Sequence, residues 1–102
     1  MSIAANIKKT YIMEFKLNPK TLVAMGEFIA VVDNGFVFHG DVTYDGDFYL
    51  ISHAKNIRVW GTKNGLGELR NGQTPNTVAD ESGEILIPKG RLCHLIQANW
   101  KR

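Results

Sequence analysis

The alternation of apolar and polar positions along the chain predicts short β-strands separated by turns. Apolar side chains occupy every second position of residues 10–17, which predicts an edge-like strand there. Asn18-Pro19 ends this strand, because proline cannot donate a backbone hydrogen bond. We expect the residues that follow, Leu22–Met25, to form one helical turn capped by Asn18-Pro19.

Two hairpins are predicted next. Asn34-Gly35 lies between the apolar runs Phe28–Val32 and Phe36–Tyr44, and both of its residues tolerate the positive φ of a tight turn. Asp45-Gly46 then separates the second run from a third strand, Asp47–His53. The first three strands of the domain are therefore expected to pair as an antiparallel meander.

Both faces of this meander carry apolar side chains. A two-residue loop at Asp45-Gly46 places Val42 opposite Tyr49 and His39 opposite Ser52. In this register the apolar residues divide between the faces: Phe38, Val42, Tyr49 and Ile51 on one, and Val37, Phe48 and Leu50 on the other. A sheet that is apolar on both faces has to be covered on both, by barrel closure or by another subunit.

The second half of the chain continues the β pattern around one short helix. Ile57–Trp60 is predicted as a strand and Leu66–Arg70 as a helix, which Asn71-Gly72 ends. Glu84–Pro88 and Arg91–Gln97 are predicted as two closing strands. The predicted fold is mainly β, an antiparallel meander curled into a small barrel-like sheet with one inserted short helix.

Length and composition favour one folded domain over residues 1–102, of which 1–25 are expected to form an N-terminal strand or arm and 27–100 the β domain. With 44% hydrophobic and 22% charged residues, the chain has the composition of a folded domain. It has neither an apolar stretch of about 20 residues nor a secretion-signal pattern at its start, which predicts no membrane association. Its single cysteine, Cys93, excludes an internal disulfide, and the neighbouring leucines predict a buried structural thiol.

Charge is distributed in blocks of alternating sign. Residues 21–54 carry a net charge of −5, residues 55–73 of +3, residues 74–88 of −3 and residues 89–102 of +4. These blocks predict acidic and basic surfaces that meet either within one molecule or across a subunit interface, unless they are only solvated strand faces. A dedicated DNA-binding protein would be basic more uniformly, so nucleic-acid binding is the least favoured alternative.

The loop after the fourth predicted strand holds the best candidate for a binding site. Arg58 and Trp60 alternate onto one side of that strand, and a guanidinium beside a flat aromatic ring suits a phosphate next to a stacked base. Lys63, Asn64 and Arg70 follow in a glycine-rich loop and short helix, whose backbone N–H groups would favour an anion. The alternative is that Trp60 belongs to the core and Arg58 packs along it.

No catalytic or metal-binding arrangement is predicted. Asp41, Asp45 and Asp47 lack the ligand number and spacing of a calcium loop, and the hairpin turn accounts for Asp45. The predicted register directs His39 and His53 to opposite faces of the sheet. We therefore expect a protein that is not an enzyme and that has no metal or other cofactor.

The stretch from Ala54 to Gly72 reads Ala-Lys-Asn-Ile-Arg-Val-Trp-Gly-Thr-Lys-Asn-Gly-Leu-Gly-Glu-Leu-Arg-Asn-Gly. It resembles a family of short phage and prophage proteins that share Ala-x-x-Ile-Arg-x-Trp-Gly-Thr-x-x-Gly-Leu-Gly-Glu-Leu. The resemblance extends over about residues 27–100, including a tryptophan near the end at Trp100, although the proline of the following turn is displaced, at Pro75. It implies a viral accessory protein in the host cytoplasm and transfers no catalytic residues.

The chain is also similar, more distantly, to phage sponges that counter the Thoeris and CBASS defence systems. Such sponges bind cyclic ADP-ribose isomers or cyclic oligonucleotides without cleaving them, often between subunits of a homo-oligomer. This likeness implies that Trp60 stacks on the base, that Arg58, Lys63 and Arg70 neutralise phosphate, and that Asn64 orients the ligand. The alternative is a protein-interaction module that inhibits a host protein or serves in the virion, with Trp60 as an interface anchor.

Overall fold

The computed structural model describes residues 22–100, which form one antiparallel sheet of five strands in the order β4-β3-β2-β1-β5. The strands are β1 (Val23–Val32), β2 (Val37–Tyr44), β3 (Phe48–Val59), β4 (Val78–Pro88) and β5 (Leu92–Gln97). Two 3₁₀ helices, Leu66–Asn71 and Lys89–Arg91, lie between β3 and β4 and between β4 and β5. The mainly β fold with one short inserted helix is therefore confirmed, whereas the strand predicted at 10–17 lies outside the described residues.

Both predicted hairpins are present, but the helical turn predicted for Leu22–Met25 is wrong. Val23 begins β1 and pairs with Tyr44 of β2. The backbone groups at the start of β1 form hydrogen bonds with β2, and this pairing outweighs the local preference for a helical turn. The two predicted strands Asp47–His53 and Ile57–Trp60 merge into the single strand β3, which begins at Phe48 and ends at Val59.

The predicted register of the second hairpin is also wrong, by two residues. Val42 lies opposite Ile51, and Tyr44 lies opposite Tyr49. The loop is longer than two residues because the Asp45 carboxylate accepts hydrogen bonds from the backbone N–H groups of Asp47 and Phe48, at 2.8 and 2.7 Å. A shift of two residues leaves each side chain on its predicted face.

A β-bulge in β3, opposite Gly40 of β2, bends the centre of the sheet. The pairing of β2 with β3 shifts there, so that His39 lies opposite Lys55 and not Ser52. A Cβ on Gly40 would stand 2.5 Å from Ile51 Cγ2 and 2.7 Å from the carbonyl oxygen of Ser52. Only glycine therefore allows the two strands to approach this closely, and such bulges are a common way to curl a sheet.

The connection between β4 and β5 shows how strongly the sheet curls. The outer strands of a flat five-stranded sheet lie about 19 Å apart. The chain passes from Pro88 at the end of β4 to Leu92 at the start of β5 in four residue steps, which span at most about 14 Å. The two edges of the sheet are thus brought towards each other, as the barrel-like prediction requires, but no ladder joins them and the sheet is not closed.

Two apolar clusters cover the two faces of the sheet, as the sequence predicted. The inner cluster combines side chains of both edge strands, β4 and β5, with those of the central strands; its buried members are Ala30, Phe38, Val42, Ile51, Ala54 and Ile87. The outer cluster is covered by the longer 3₁₀ helix and by the segment after β5; its buried members are Ile29, Val37, Ile57, Leu69, Ala98 and Trp100. The chain itself therefore provides the cover that each face requires.

Between Leu22 and Trp100, no helix has the length and apolar character needed to cross a membrane.

Candidate functional site

The loop that follows β3 is held against the turn at residues 74–77. The Thr77 hydroxyl donates to the carbonyl oxygen of Trp60, and the Thr74 hydroxyl donates to that of Gly61, both at 2.7 Å. Gly61 has a positive φ of 67°, and a Cβ there would collide with the backbone of Asn76. These contacts give the backbone of the predicted binding loop a defined position.

Trp60 is exposed at this loop. Its exposed fraction is 43%, and that of the neighbouring Val59 is 45%. Trp100, by contrast, is 8% exposed and belongs to the outer cluster. The alternative in which Trp60 is a core residue is therefore wrong, and its indole is accessible to a ligand or partner.

Arg58 is exposed and forms an ion pair with Asp80 on the neighbouring strand β4. Its Nε lies 2.8 Å from Asp80 Oδ2. The hydrogen bond from Arg58, together with its charge, lowers the pKa of the Asp80 carboxyl, and the same contact raises the pKa of Arg58. A phosphate that binds Arg58 has to compete with this carboxylate.

Glu68 engages two other residues of the predicted site. Its carboxylate accepts hydrogen bonds from the backbone N–H of Lys63 and from Nδ2 of Asn64, both at 3.3 Å. The side-chain ammonium of Lys63 forms no ion pair with any of the described residues. Lys63 is therefore a more accessible cation than Arg58.

The alternating charge blocks meet within one molecule. Besides Arg58–Asp80, an ion pair of 3.7 Å joins Lys55 to Glu81, and both pairs link the basic block 55–73 to the acidic block 74–88. Arg91 pairs with Asp33 at 3.2 Å and links the basic C-terminal block to the acidic block 21–54. The sequence left open whether the charge blocks meet within one molecule or between subunits. These three ion pairs show that the blocks meet within one molecule.

Arg70 lines a groove of about 590 Å³ between the end of the longer 3₁₀ helix and the segment that follows β5. The lining consists of one cation, three amides and two apolar residues: Arg70, Asn71, Ile96, Gln97, Ala98 and Asn99. Arg70 is the only charged residue among these lining residues. The sequence identified Arg70 but not its neighbours in the groove, because the pairing of β5 with β1 brings them there.

Two backbone hydrogen bonds hold the walls of this groove. The N–H of Asn99 donates to the carbonyl oxygen of Arg70 at 2.6 Å, and the N–H of Ala98 donates to that of Glu27 at 3.1 Å. Ala98 belongs to the outer cluster, and Ile96 packs against it. The groove therefore has an apolar base that is continuous with the core.

Glu27 connects the sheet to Trp100 beside the groove. One oxygen of its carboxylate lies 2.6 Å from His39 Nε2 and accepts a hydrogen bond of 2.7 Å from the backbone N–H of Trp100. The Trp100 indole donates to the carbonyl oxygen of Leu69 at 2.5 Å. No local pattern could indicate this cluster, because its members are far apart in the chain.

The sequence also raised the histidines, the aspartates and Cys93 as candidate chemistry. Among residues 22–100, no three His, Cys, Asp or Glu side chains are grouped so that they could hold a metal ion. His53 Nδ1 lies 3.7 Å from Asp41 Oδ2. Cys93 is exposed on the edge strand β5, so the prediction that its thiol is buried is wrong. The pairing of β1 with β5 shifts at this point, because Val31 lies opposite His94 and Val32 opposite Leu92, so the simple alternation of faces fails at Cys93.

Comparisons with family models, curated proteins and solved structures find no match to this chain. The resemblance to phage proteins thus stays a prediction from the motif at Ala54–Gly72.

Proposed function

We propose that the protein binds and sequesters a nucleotide-derived small molecule without cleaving it. In this proposal it is a phage accessory protein that acts as a homo-oligomer in the host cytoplasm on an immune signal, of the cyclic oligonucleotide or cyclic ADP-ribose type. The phage origin and the immune role rest on the sequence resemblance. The binding rests on one observation, the groove beside Arg70.

The size and lining of the groove support this proposal. Ligand pockets usually have volumes of about 300–1,000 Å³ and contain a few polar groups above an apolar base. The groove falls within this range at about 590 Å³. The side chains of Arg70, Asn71, Gln97 and Asn99 are exposed, and none hydrogen-bonds to another described residue. They are therefore available to a ligand, with Arg70 directed to phosphate and the amides to base or ribose.

The other predicted residues have supporting roles in the proposal. Trp60 would stack on a base, and Lys63 would add positive charge near the loop. Asn64 would orient the ligand once the hydrogen bond from its side chain to Glu68 has broken. Arg58 would contribute only if a phosphate displaces Asp80, so we assign it the smallest share of the binding energy.

Native mass spectrometry and isothermal titration calorimetry test the proposal. The protein is titrated with cyclic mononucleotides, cyclic dinucleotides and cyclic ADP-ribose isomers, and the bound ligand is recovered and weighed. We expect a retained ligand of unchanged mass and a loss of affinity of about tenfold or more in Arg70→Ala, as removal of a charge-assisted contact causes. Arg91→Ala is the matched control, since Arg91 pairs with Asp33 and does not line the groove.

Three results would contradict parts of the proposal. If the wild-type protein retains no nucleotide of the panel, the binding function is wrong. If Arg70→Ala binds as the wild type does, the function stands but the groove is not its site. A recovered ligand with altered mass would show cleavage and would make the protein an enzyme.

A protein-binding role is the second candidate, because Val59 and Trp60 are adjacent and exposed. A tryptophan on a rigid loop is a frequent anchor of protein interfaces. In that case Trp60→Ala is expected to abolish inhibition or capture of a defined host protein, whereas Arg70→Ala leaves it intact. The opposite pattern favours the small molecule.

A further inference from the structure

The charge of the groove limits the ligand that it accepts, and this inference rests on the proposed function. We infer that each groove recognises one singly charged phosphate group beside an uncharged hydrogen-bonding ring, as in a phosphodiester next to a nucleobase. A pyrophosphate, as in cyclic ADP-ribose, or a chain of phosphates does not fit the charges of the described groove. Of the two ligand types in the proposed function, the inference therefore favours the cyclic oligonucleotide.

Among the described residues that line the groove, Arg70 alone carries a positive charge. Three other cations are engaged elsewhere: Arg58 pairs with Asp80, Lys55 with Glu81 and Arg91 with Asp33. Lys63 forms no ion pair with a described residue, but it is not among the residues that line the groove. A second phosphate placed in the groove would therefore lose water without gaining a cation from the described groove lining. Loss of hydration without a partner is costly for a charged group, so a ligand with one charge is favoured.

The amides of Asn71, Gln97 and Asn99 provide neutral recognition next to this single charge. Each amide has an N–H₂ group that donates and a carbonyl oxygen that accepts. A nucleobase edge presents donors and acceptors of the same kind, whereas a phosphate presents acceptors only. Three amides beside one guanidinium thus match a base and one phosphate better than two phosphates.

The groove walls are held in position before a ligand arrives. The bond of 2.6 Å from the Asn99 N–H to the Arg70 carbonyl oxygen joins the two walls directly. The Trp100 indole bonds to Leu69, next to Arg70, at 2.5 Å. These contacts fix the backbones of Arg70 and Asn99 relative to each other, so the spacing between the two walls is set before a ligand binds.

Calorimetric titration with nucleotides of defined charge tests the inference. The probes share one base: a neutral nucleoside, its 3′,5′-cyclic monophosphate with one charge, and its 5′-diphosphate. We expect the cyclic monophosphate to bind about tenfold or more tightly than the nucleoside, and at least as tightly as the diphosphate. In Arg70→Gln this advantage over the nucleoside disappears, while the affinity for the nucleoside stays within about twofold. Arg91→Gln is the control and retains the wild-type order.

The outcomes separate this inference from the proposed function. A diphosphate that binds about tenfold more tightly than the cyclic monophosphate, at one ligand per chain, overturns the single-charge inference and leaves nucleotide binding intact. If Arg70→Gln lowers the affinities for nucleoside and cyclic monophosphate equally, Arg70 does not recognise the phosphate and the inference is also wrong. Absence of binding for all of these probes and for the cyclic dinucleotides and ADP-ribose isomers contradicts the function itself.

Discussion

The imidazole of His39 lies flat against the indole of Trp100, with ring centroids 3.6 Å apart and planes inclined by 9°. His39 belongs to the central strand β2, and Trp100 follows the edge strand β5. The carboxylate of Glu27 contacts both residues, through His39 Nε2 and the Trp100 N–H. This contact attaches the segment after β5 to the sheet, and the same segment forms one wall of the groove.

The two tryptophans of the chain are expected to respond differently to truncation. Trp100→Ala should lower the free energy of unfolding by about 3–5 kcal/mol, because it removes a buried aromatic side chain and leaves a cavity. Trp60→Ala should change it by about 0.5 kcal/mol or less, because that indole is exposed. Urea denaturation followed by far-UV circular dichroism measures both. Equal destabilisation by the two changes would show that Trp60 also supports the core.

Gly40→Ala is expected to destabilise the sheet at its bulge. The added methyl group meets Ile51 Cγ2 and the Ser52 carbonyl oxygen, so the strands must separate, at a cost of about 1–3 kcal/mol. Gly67→Ala is the matched control, because a Cβ there meets no atom within 4 Å and no positive φ opposes it. Thermal unfolding compares the variants. A Gly40→Ala protein as stable as Gly67→Ala would mean that the bulge can relax freely.

His53 is expected to reveal the backbone strain of β3. Its φ of 53° lies in the left-handed region, which asparagine tolerates and a β-branched residue does not. His53→Val should therefore be less stable than His53→Asn by about 1–2 kcal/mol. Both variants lose the imidazole near Asp41, so their difference isolates the backbone contribution. Chemical denaturation of the two proteins measures it, and equal stabilities would contradict the strain.

The Arg58–Asp80 pair is expected to give a small pH dependence of stability at acid pH. Folding lowers the pKa of Asp80 from its ordinary value of 3.8, mainly through the hydrogen bond from Arg58. The stabilisation is therefore complete well above pH 3.8 and is lost as the pH falls through the lowered pKa of the folded state. The difference in unfolding free energy between the wild type and Asp80→Asn should shrink in that range.

Salt provides the control for this pair. Both side chains are exposed, so high salt at neutral pH should also reduce the difference between the wild type and Asp80→Asn. A difference that persists below the lowered pKa would show that Asp80 stabilises the protein by something other than its charge.

The sequence predicts those parts of the fold that depend on neighbouring residues. Asn34-Gly35 and Asp45-Gly46 identify both hairpins because the turn residues themselves permit the required backbone angles. The register of the second hairpin is not predicted, since it depends on the carboxylate of Asp45 and on where two strands can approach at Gly40. Both effects appear only when the strands are paired.

Contacts between segments that are distant in the chain are likewise not predicted from the sequence. The sequence predicts Glu84–Pro88 and Arg91–Gln97 as closing strands but not their partners. β5 pairs with β1, at the edge of the sheet opposite β4. The groove neighbours of Arg70 follow from that pairing, and so does the cluster around Glu27. The sequence identifies Arg58 and Trp60 as candidate ligand contacts. It does not identify the carboxylate of Asp80 beside Arg58, because that residue comes from the next strand.

The pairing of β5 with β1 has a consequence for how the chain folds during synthesis. Phe28 of β1 pairs with Gln97 of β5. One edge of β1 therefore has no partner strand until the ribosome has translated almost the whole domain. Contacts so distant in sequence slow folding, and an uncovered strand edge invites association with other chains meanwhile. A chaperone is therefore expected to matter most while β1–β4 have formed and β5 is still missing, because the edge of β1 is then exposed.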